Sequence, residues 1–145
     1  VQDRELQNDV SGYVTTVNGL VVIGINASHS QFRRRFTIAH ELGHALLHPL
    51  NPSQPLVDRK FIGGVHRRDE LSALGIDVEE REANLFAAEL LMPEPFITES
   101  LTNGSYELDL TSEGKNSGLM RIAADYKVSV QAMANRLSNL GYFQQ

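Results

Sequence analysis

Two histidines stand four residues apart in a stretch whose apolar residues recur with helical spacing. The stretch reads His40-Glu41-Leu42-Gly43-His44, and an α-helix carries residues i and i+4 on one face, about one turn apart. Two neutral imidazoles placed in this way can bind one Zn²⁺ ion, and the glutamate between them can take a proton from a water molecule. Because catalytic zinc usually has three protein ligands, the fold must bring a third ligand to this helix.

The composition limits which side chains can supply that ligand. The 145 residues include five His and no Cys, which excludes thiolate metal sites, thiol catalysis and disulfides. The length predicts one domain, and the net charge of −5 argues against a protein that mainly holds nucleic acid through its phosphates. No run approaches the ~18 apolar residues of a membrane span. We therefore expect a cytoplasmic protein, and the composition leaves the oligomeric state open.

Turn and cap residues predict the elements around the motif. Asn18-Gly19 joins two β-rich runs between residues 10 and 26, and this pair favours the type I′ turn of a β-hairpin. A helix is predicted from Ser30 to the proline at Pro49, which cannot continue the hydrogen-bond ladder. Residues 50–69 carry prolines and a Gly-Gly pair, so they are interpreted as a loop.

A second helix is predicted between Asp77 and Pro93. Asp77 and Glu80 form a capping-box pattern, which indicates that the helix begins there. Glu79 and Glu80 then fall in the first turn, where the helix dipole alone favours acidic residues.

Glu82 is the favoured third ligand on this helix. It precedes Phe86 by four residues and Leu90 by eight, and a carboxylate on an apolar face is costly unless it is paired or bound to a metal. Glu79 is the alternative, and Asn84 is a candidate hydrogen-bond partner for a ligand. His48 extends the histidine stripe but lies ~6 Å beyond His44 along the helix, too far for the same ion, and is assigned to the helix end.

Two short helices are predicted near the C-terminus, at residues 119–126 and 130–139, with Ser129 as the cap between them. Their spacing is typical of a helix-turn-helix that would carry Arg136 on its second helix. The segment has a net charge of only +2, so we favour helices that pack on the core or dock a partner protein over a DNA reader.

The runs RRRFTIAHELGHALLH and EREANLFAAELLMP together resemble the ImmA/IrrE family of bacterial zinc metallopeptidases, and the similarity covers residues 10 to 143. It implies an α+β fold: a zincin-like core, with a small antiparallel sheet packed on the HExxH helix and a second ligand-bearing helix, followed by a helix-turn-helix-like region. The expected parts are a core over 1–100, a polar connection over 101–118 and C-terminal helices over 119–145, within a single compact domain.

The resemblance also implies a mechanism. His40, His44 and Glu82 would bind one Zn²⁺ per chain, and Glu41 would be the catalytic base. His66, in the predicted loop, is a candidate for stabilising the tetrahedral oxyanion. By analogy with zincins, the strand over residues 20–26 would be the edge strand that aligns substrate.

The implied substrate is a helix-turn-helix repressor, whose cleavage relieves repression of stress, mobile-element or toxin-antitoxin genes. The alternative is a zinc-binding module without proteolytic activity, or a toxin component, that acts by binding its cognate regulator, an antitoxin or DNA.

Overall fold

The structure is a computed structural model that describes residues 1–6, 10–50, 56–59, 70–106 and 118–142. Its elements belong to the predicted α+β class. In chain order they are β1 (Gln2–Arg4), β2 (Val10–Val17), β3 (Leu20–Asn26), α1 (Gln31–Leu47), β4 (Leu56–Arg59), α2 (Glu70–Leu91), α3 (Glu94–Thr102), α4 (Gly118–Asp125) and α5 (Val130–Asn139).

The β2–β3 hairpin forms at the Asn-Gly pair. Asn18 and Gly19 have φ values of 50° and 77°, so both central residues occupy the left-handed region that a type I′ turn requires. The register pairs Val17 with Leu20 directly across this turn. The predicted hairpin is therefore confirmed.

The sheet has four strands in the order β1-β3-β2-β4. β2 runs antiparallel to both of its neighbours, but β1 pairs in parallel with β3. The prediction of an antiparallel sheet is wrong for β1, because the chain reverses its direction twice between β1 and β3, once into β2 and once out of it. The outer strands among the described residues are β1 and β4. The second half of β3 is thus internal, contrary to its expected place at the edge.

Strand β4 lies in the segment that was interpreted as a loop. Its residues pair antiparallel with β2, with Val57 opposite Tyr13 and Leu56 opposite Val14. This pairing joins segments about 40 residues apart in sequence, and the prolines around it give no local sign of a strand. Residues 51–55 and 60–69 lie outside the described part of the chain.

Helix α1 begins and ends at the predicted residues. The Ser30 hydroxyl accepts a hydrogen bond from the Arg33 backbone N–H at 3.4 Å, and the helix ends at His48, one residue before Pro49. Its apolar side packs against β2 and β3. The core between them consists of Val14, Ile23 and Ile25, together with the partly buried Ile38, Leu42, Ala45 and Leu50.

The structure divides into two compact units, Val1–Ala87 and Ala88–Gln145, and the division falls within α2. The second unit has its own apolar core, which includes Met92, Ile97, Ile122, Met133 and Leu137. The expected boundaries at residues 100 and 118 stay predictions, and most of the connection between them lies outside the described residues.

Helices α4 and α5 form where cap chemistry predicts them. The Ser129 hydroxyl accepts from the Ala132 N–H at 3.1 Å, and Gly141 ends α5 with a φ of 83°. The interpretation of this pair as helix-turn-helix-like stays a prediction, and Arg136 is buried rather than exposed. Its Nε donates to the Met92 carbonyl at 3.1 Å, and its guanidinium pairs with Glu89.

Candidate metal centre

Helix α1 brings His40 and His44 together. Both side chains are buried, with 4% and 3% of their residue surface exposed, and their Nε2 atoms lie 3.1 Å apart. Their rings meet edge to face, with centroids 4.7 Å apart. This is the arrangement that the spacing of four residues predicts for two ligands of one ion.

Helix α2 supplies a carboxylate to the same point. Oε2 of Glu80 lies 3.4 Å from His40 Nε2, and Oε1 lies 3.3 Å from His44 Nε2. Within the described part of the chain, His40, His44 and Glu80 are the group of His, Asp or Glu side chains close enough to hold a metal ion. Two imidazoles from one helix and one carboxylate from another make a donor set of two nitrogens and one oxygen.

The spacing of these donors fits a small tetrahedral ion. Zn²⁺ binds nitrogen and oxygen ligands at about 2.0–2.2 Å, so two ligands at the corners of a tetrahedron lie about 3.3–3.5 Å apart. The two imidazole Nε2 atoms, 3.1 Å apart, are close to that separation, and each has a different oxygen of the Glu80 carboxylate at a similar distance, 3.4 Å for His40 and 3.3 Å for His44. The set could supply three ligands to a metal ion, and a catalytic zinc site typically has three protein ligands and a fourth position for water or substrate.

The structure brings Glu80, not the predicted Glu82 or its alternative Glu79, to the two histidines. From the sequence, Glu80 falls in the first turn of α2, where the helix dipole alone explains an acidic residue. In the structure α2 begins at Glu70, so Glu80 lies in the interior of the helix.

The buried face of α2 also differs from the predicted one. Between residues 78 and 91, the part of α2 whose burial the structure describes, the fully buried residues are Ala83 and Ala87, whereas Leu90 is half exposed. A Cβ added to Gly43 of α1 would lie 3.1 Å from the Ala83 Cα, so the two helices meet closely through small residues. The prediction assumed that the large apolar residues mark the buried face, and this assumption is wrong here.

The two histidines also set the charge of Glu80. Hydrogen bonds from His40 and His44 lower the pKa of the Glu80 carboxyl from 4.5 to about 2, because donors stabilise its ionised form more than partial burial disfavours it. The carboxylate is therefore ionised at neutral pH and suited to bind a cation.

Asn84 contacts the first histidine. Its Oδ1 lies 3.1 Å from His40 Nδ1. Because an amide oxygen only accepts, the imidazole donates from Nδ1, so in its neutral, metal-binding form the lone pair is on Nε2, the atom that faces His44 and Glu80. Asn84 lies four residues after Glu80, on the same face of α2. This repeat of four was the sequence signal that could have identified Glu80.

His48 and Glu82 form a separate contact behind the second histidine. His48 Nδ1 lies 3.0 Å from His44 Nδ1, and His48 Nε2 lies 3.0 Å from Glu82 Oε2. The His48 side chain is buried, whereas 53% of the Glu82 side chain is exposed. The predicted ligand Glu82 therefore contacts a histidine that had been assigned only to the helix end.

Glu41 is the most buried acidic residue of the described part of the chain, with 1% of its surface exposed. Its carboxylate reaches the sheet, because a Cβ added at Gly12 of β2 would lie 3.1 Å from Glu41 Oε1. The absence of a side chain at Gly12 thus leaves space for this carboxylate beside the strand. His66, the candidate for the oxyanion, lies outside the described residues.

A family model described as the IrrE N-terminal-like domain, a peptidase family, matches residues 2–138. The chain belongs to this family. An IrrE-like peptidase domain agrees with the α+β architecture and with the two-histidine, one-carboxylate group on α1 and α2.

Two curated proteins resemble this IrrE-like domain. An uncharacterized immunity region protein of Bacillus phage phi105 is 32% identical over 104 residues, which cover 72% of the chain and 58% of the phage protein. The radiation response metalloprotease IrrE of Deinococcus radiodurans is 41% identical over 80 residues, which cover 55% of the chain and 22% of that protein. The chain therefore matches only part of the length of each relative. Among the described residues of the IrrE-like domain, no helix combines the length and apolar character needed to cross a membrane.

Proposed function

We propose that the chain is a zinc-dependent endopeptidase, with one Zn²⁺ held by His40, His44 and Glu80. The observation that carries the proposal is the convergence of two imidazoles and one carboxylate closely enough to hold one ion, with the buried Glu41 on the helix that carries both histidines. Membership in a peptidase family and 41% identity to a protein named as a metalloprotease support the same reaction class.

The residues of the proposed site have different roles in hydrolysis. Bound zinc would supply Lewis-acid polarisation of the scissile carbonyl and would lower the pKa of the attacking water. The Glu41 carboxylate accepts a proton from that water and then delivers it to the amine nitrogen as the C–N bond breaks. Asn84 holds His40 in the tautomer that offers Nε2. The burial of Glu41 keeps solvent away from the carboxylate during the transfer.

The proposed substrate is a helix-turn-helix transcriptional repressor in the cytoplasm, whose cleavage relieves repression of stress or mobile-element genes. The names of the two relatives, one an immunity region protein of a phage and the other a radiation response metalloprotease, agree with the mobile-element or stress setting of this proposal. A repressor substrate also agrees with the net charge of −5, which suits a protein that acts on a DNA-binding protein better than one that holds DNA.

The decisive variant is Glu41→Gln, which keeps the size of the side chain but removes the base. We expect it to bind zinc like the parent chain and to lose at least about 100-fold of its cleavage rate, the usual contribution of general acid–base catalysis. Zinc content and fragments of the helix-turn-helix protein encoded beside the gene are measured together, with and without a chelator. Glu99→Gln, which changes an exposed glutamate of α3, is the control and should cleave like the parent.

Each other outcome has a definite meaning. Full activity in Glu41→Gln would overturn the assigned base. A stable complex without fragments would favour a binding module, and a salt-sensitive shift of operator DNA would favour a DNA reader.

A further inference from the structure

The second histidine of the proposed zinc site is backed by a chain of two hydrogen bonds that crosses from α1 to α2. The chain runs from His44 Nδ1 to His48 Nδ1 at 3.0 Å, and from His48 Nε2 to Glu82 Oε2 at 3.0 Å. The His44 and His48 side chains are both about 95% buried, so water does not compete strongly for the bond between them.

The donor and acceptor of each bond follow from the chemistry at its two ends. A carboxylate only accepts, so His48 Nε2 carries a hydrogen and donates it to Glu82. A neutral His48 then has its lone pair on Nδ1, which accepts from His44 Nδ1–H. In its neutral, metal-binding form His44 then has its lone pair on Nε2, the atom that faces His40 Nε2 and Glu80.

We infer that His48 and Glu82 are positioning residues that hold the His44 imidazole in its metal-binding tautomer and orientation. This inference rests on the proposed function, since it concerns the same metal centre. Carboxylate and histidine partners of this kind commonly fix the ring of a metal-ligating histidine and raise its basicity. Here the carboxylate acts through an intervening imidazole, while Asn84 performs the same task directly for His40.

The alternative is that His48 only ends the helix. Its backbone N–H already does so, because it donates to the His44 carbonyl at 3.0 Å. A side-chain substitution leaves that backbone bond intact. Variants of His48 can therefore separate the two roles.

Four variants test the hydrogen-bond chain through zinc affinity, measured by competition with a chromogenic chelator. The side-chain oxygen of His48→Asn stands near the former Nδ1 and can accept from His44, whereas the amide of His48→Gln stands near the former Nε2 and cannot. We expect His48→Gln to weaken zinc binding about 10- to 100-fold and His48→Asn to restore most of the loss. Likewise Glu82→Ala should weaken binding, and Glu82→Gln, which still accepts a hydrogen bond, should weaken it less. Glu99→Gln is the control.

A spectroscopic measurement on the zinc-loaded parent chain needs no variant. The ¹⁵N spectrum of the imidazoles should show a proton on His44 Nδ1, with a coupling across the hydrogen bond to His48 Nδ1. We expect this signal to disappear in His48→Gln. Its absence from the parent would overturn the inference, even if a variant failed to fold.

The results distinguish this inference from the function on which it rests. A parent chain that binds and cleaves, together with His48→Gln and Glu82→Ala variants of unchanged zinc affinity, would overturn the positioning role alone. If the parent chain cleaves no repressor but these variants bind zinc more weakly than it does, the result would support the positioning role and overturn the proposed function. A parent chain that binds no zinc would overturn both.

Discussion

At the residue scale, the sequence determines the part of the proposed site on α1 more fully than the part on α2. His40, Glu41 and His44 follow from one helix, because a spacing of four residues fixes their common face whatever the rest of the chain does. The carboxylate depends on how a second helix is rotated against the first. That rotation follows from close contact at Ala83, which the pattern of large apolar residues does not reveal.

Substitution of three neighbouring glutamates decides which one binds the metal. We expect Glu80→Gln to reduce zinc affinity more than the about 10- to 100-fold loss that is typical of an outer hydrogen-bond partner. Glu79→Gln should keep the parental affinity, and Glu82→Gln should stay close to it. Calorimetric titration of zinc into metal-free protein measures all three. If Glu82→Gln lost the most, the original choice of ligand would be right and the placement of Glu80 would not represent the bound state.

At the element scale, the sequence predicted the turn and the helix boundaries that depend only on neighbouring residues. The Asn18-Gly19 turn and the caps at Ser30 and Ser129 each involve neighbouring residues only, and each forms as expected. The parallel pairing of β1 and the existence of β4 depend on contacts between distant segments. A capping-box pattern at Asp77 could not outweigh the helical residues before it, so α2 begins at Glu70.

The close approach of α1 and α2 at Gly43 can be tested with side chains of increasing size. A Cβ at this position would lie 3.1 Å from the Ala83 Cα and 3.3 Å from its carbonyl oxygen, so the backbone of α2 must move away. We expect Gly43→Ala to weaken zinc binding and Gly43→Val to weaken it further. Overpacking of this kind typically costs about 1–3 kcal/mol in the free energy of unfolding, partly offset in alanine by its better helix propensity.

Chemical denaturation and chelator competition measure the two effects of the Gly43 series. Leu46→Ala, at an exposed position of the same helix, is the control and should change the stability by less than about 0.5 kcal/mol. Unchanged zinc affinity throughout the series would show that the helix separation does not set the positions of the donors.

At the scale of the whole molecule, all of the proposed metal ligands and their partners belong to the unit Val1–Ala87. The second unit has a separate apolar core and its own buried Arg136–Glu89 pair. The prediction of one domain rested on the length of the sequence and stays a prediction, since length carries no information on how contacts divide within a chain.

This division predicts where zinc will slow hydrogen exchange. At a free zinc concentration 100 times the dissociation constant, binding stabilises the native state by about 2.7 kcal/mol, which corresponds to about 100-fold slower exchange through openings that release the ion. We expect the amides of α1 to gain this protection and those of α5 to gain much less. Mass spectrometry of deuterated peptides, with zinc or with a chelator, measures both. Equal protection in the two helices would indicate that the units open together.

The small residues between α1 and α2 have a genetic consequence. Most proteins lose function when a large core side chain is shortened, but the donors here depend on a contact at which a methyl group added to Gly43 would press on the backbone of the buried Ala83. Selection on a library of all single substitutions should therefore remove enlargements at these two positions more strongly than it removes truncations of nearby leucines. Gly43 and Ala83, although small, would be among the residues that tolerate substitution least.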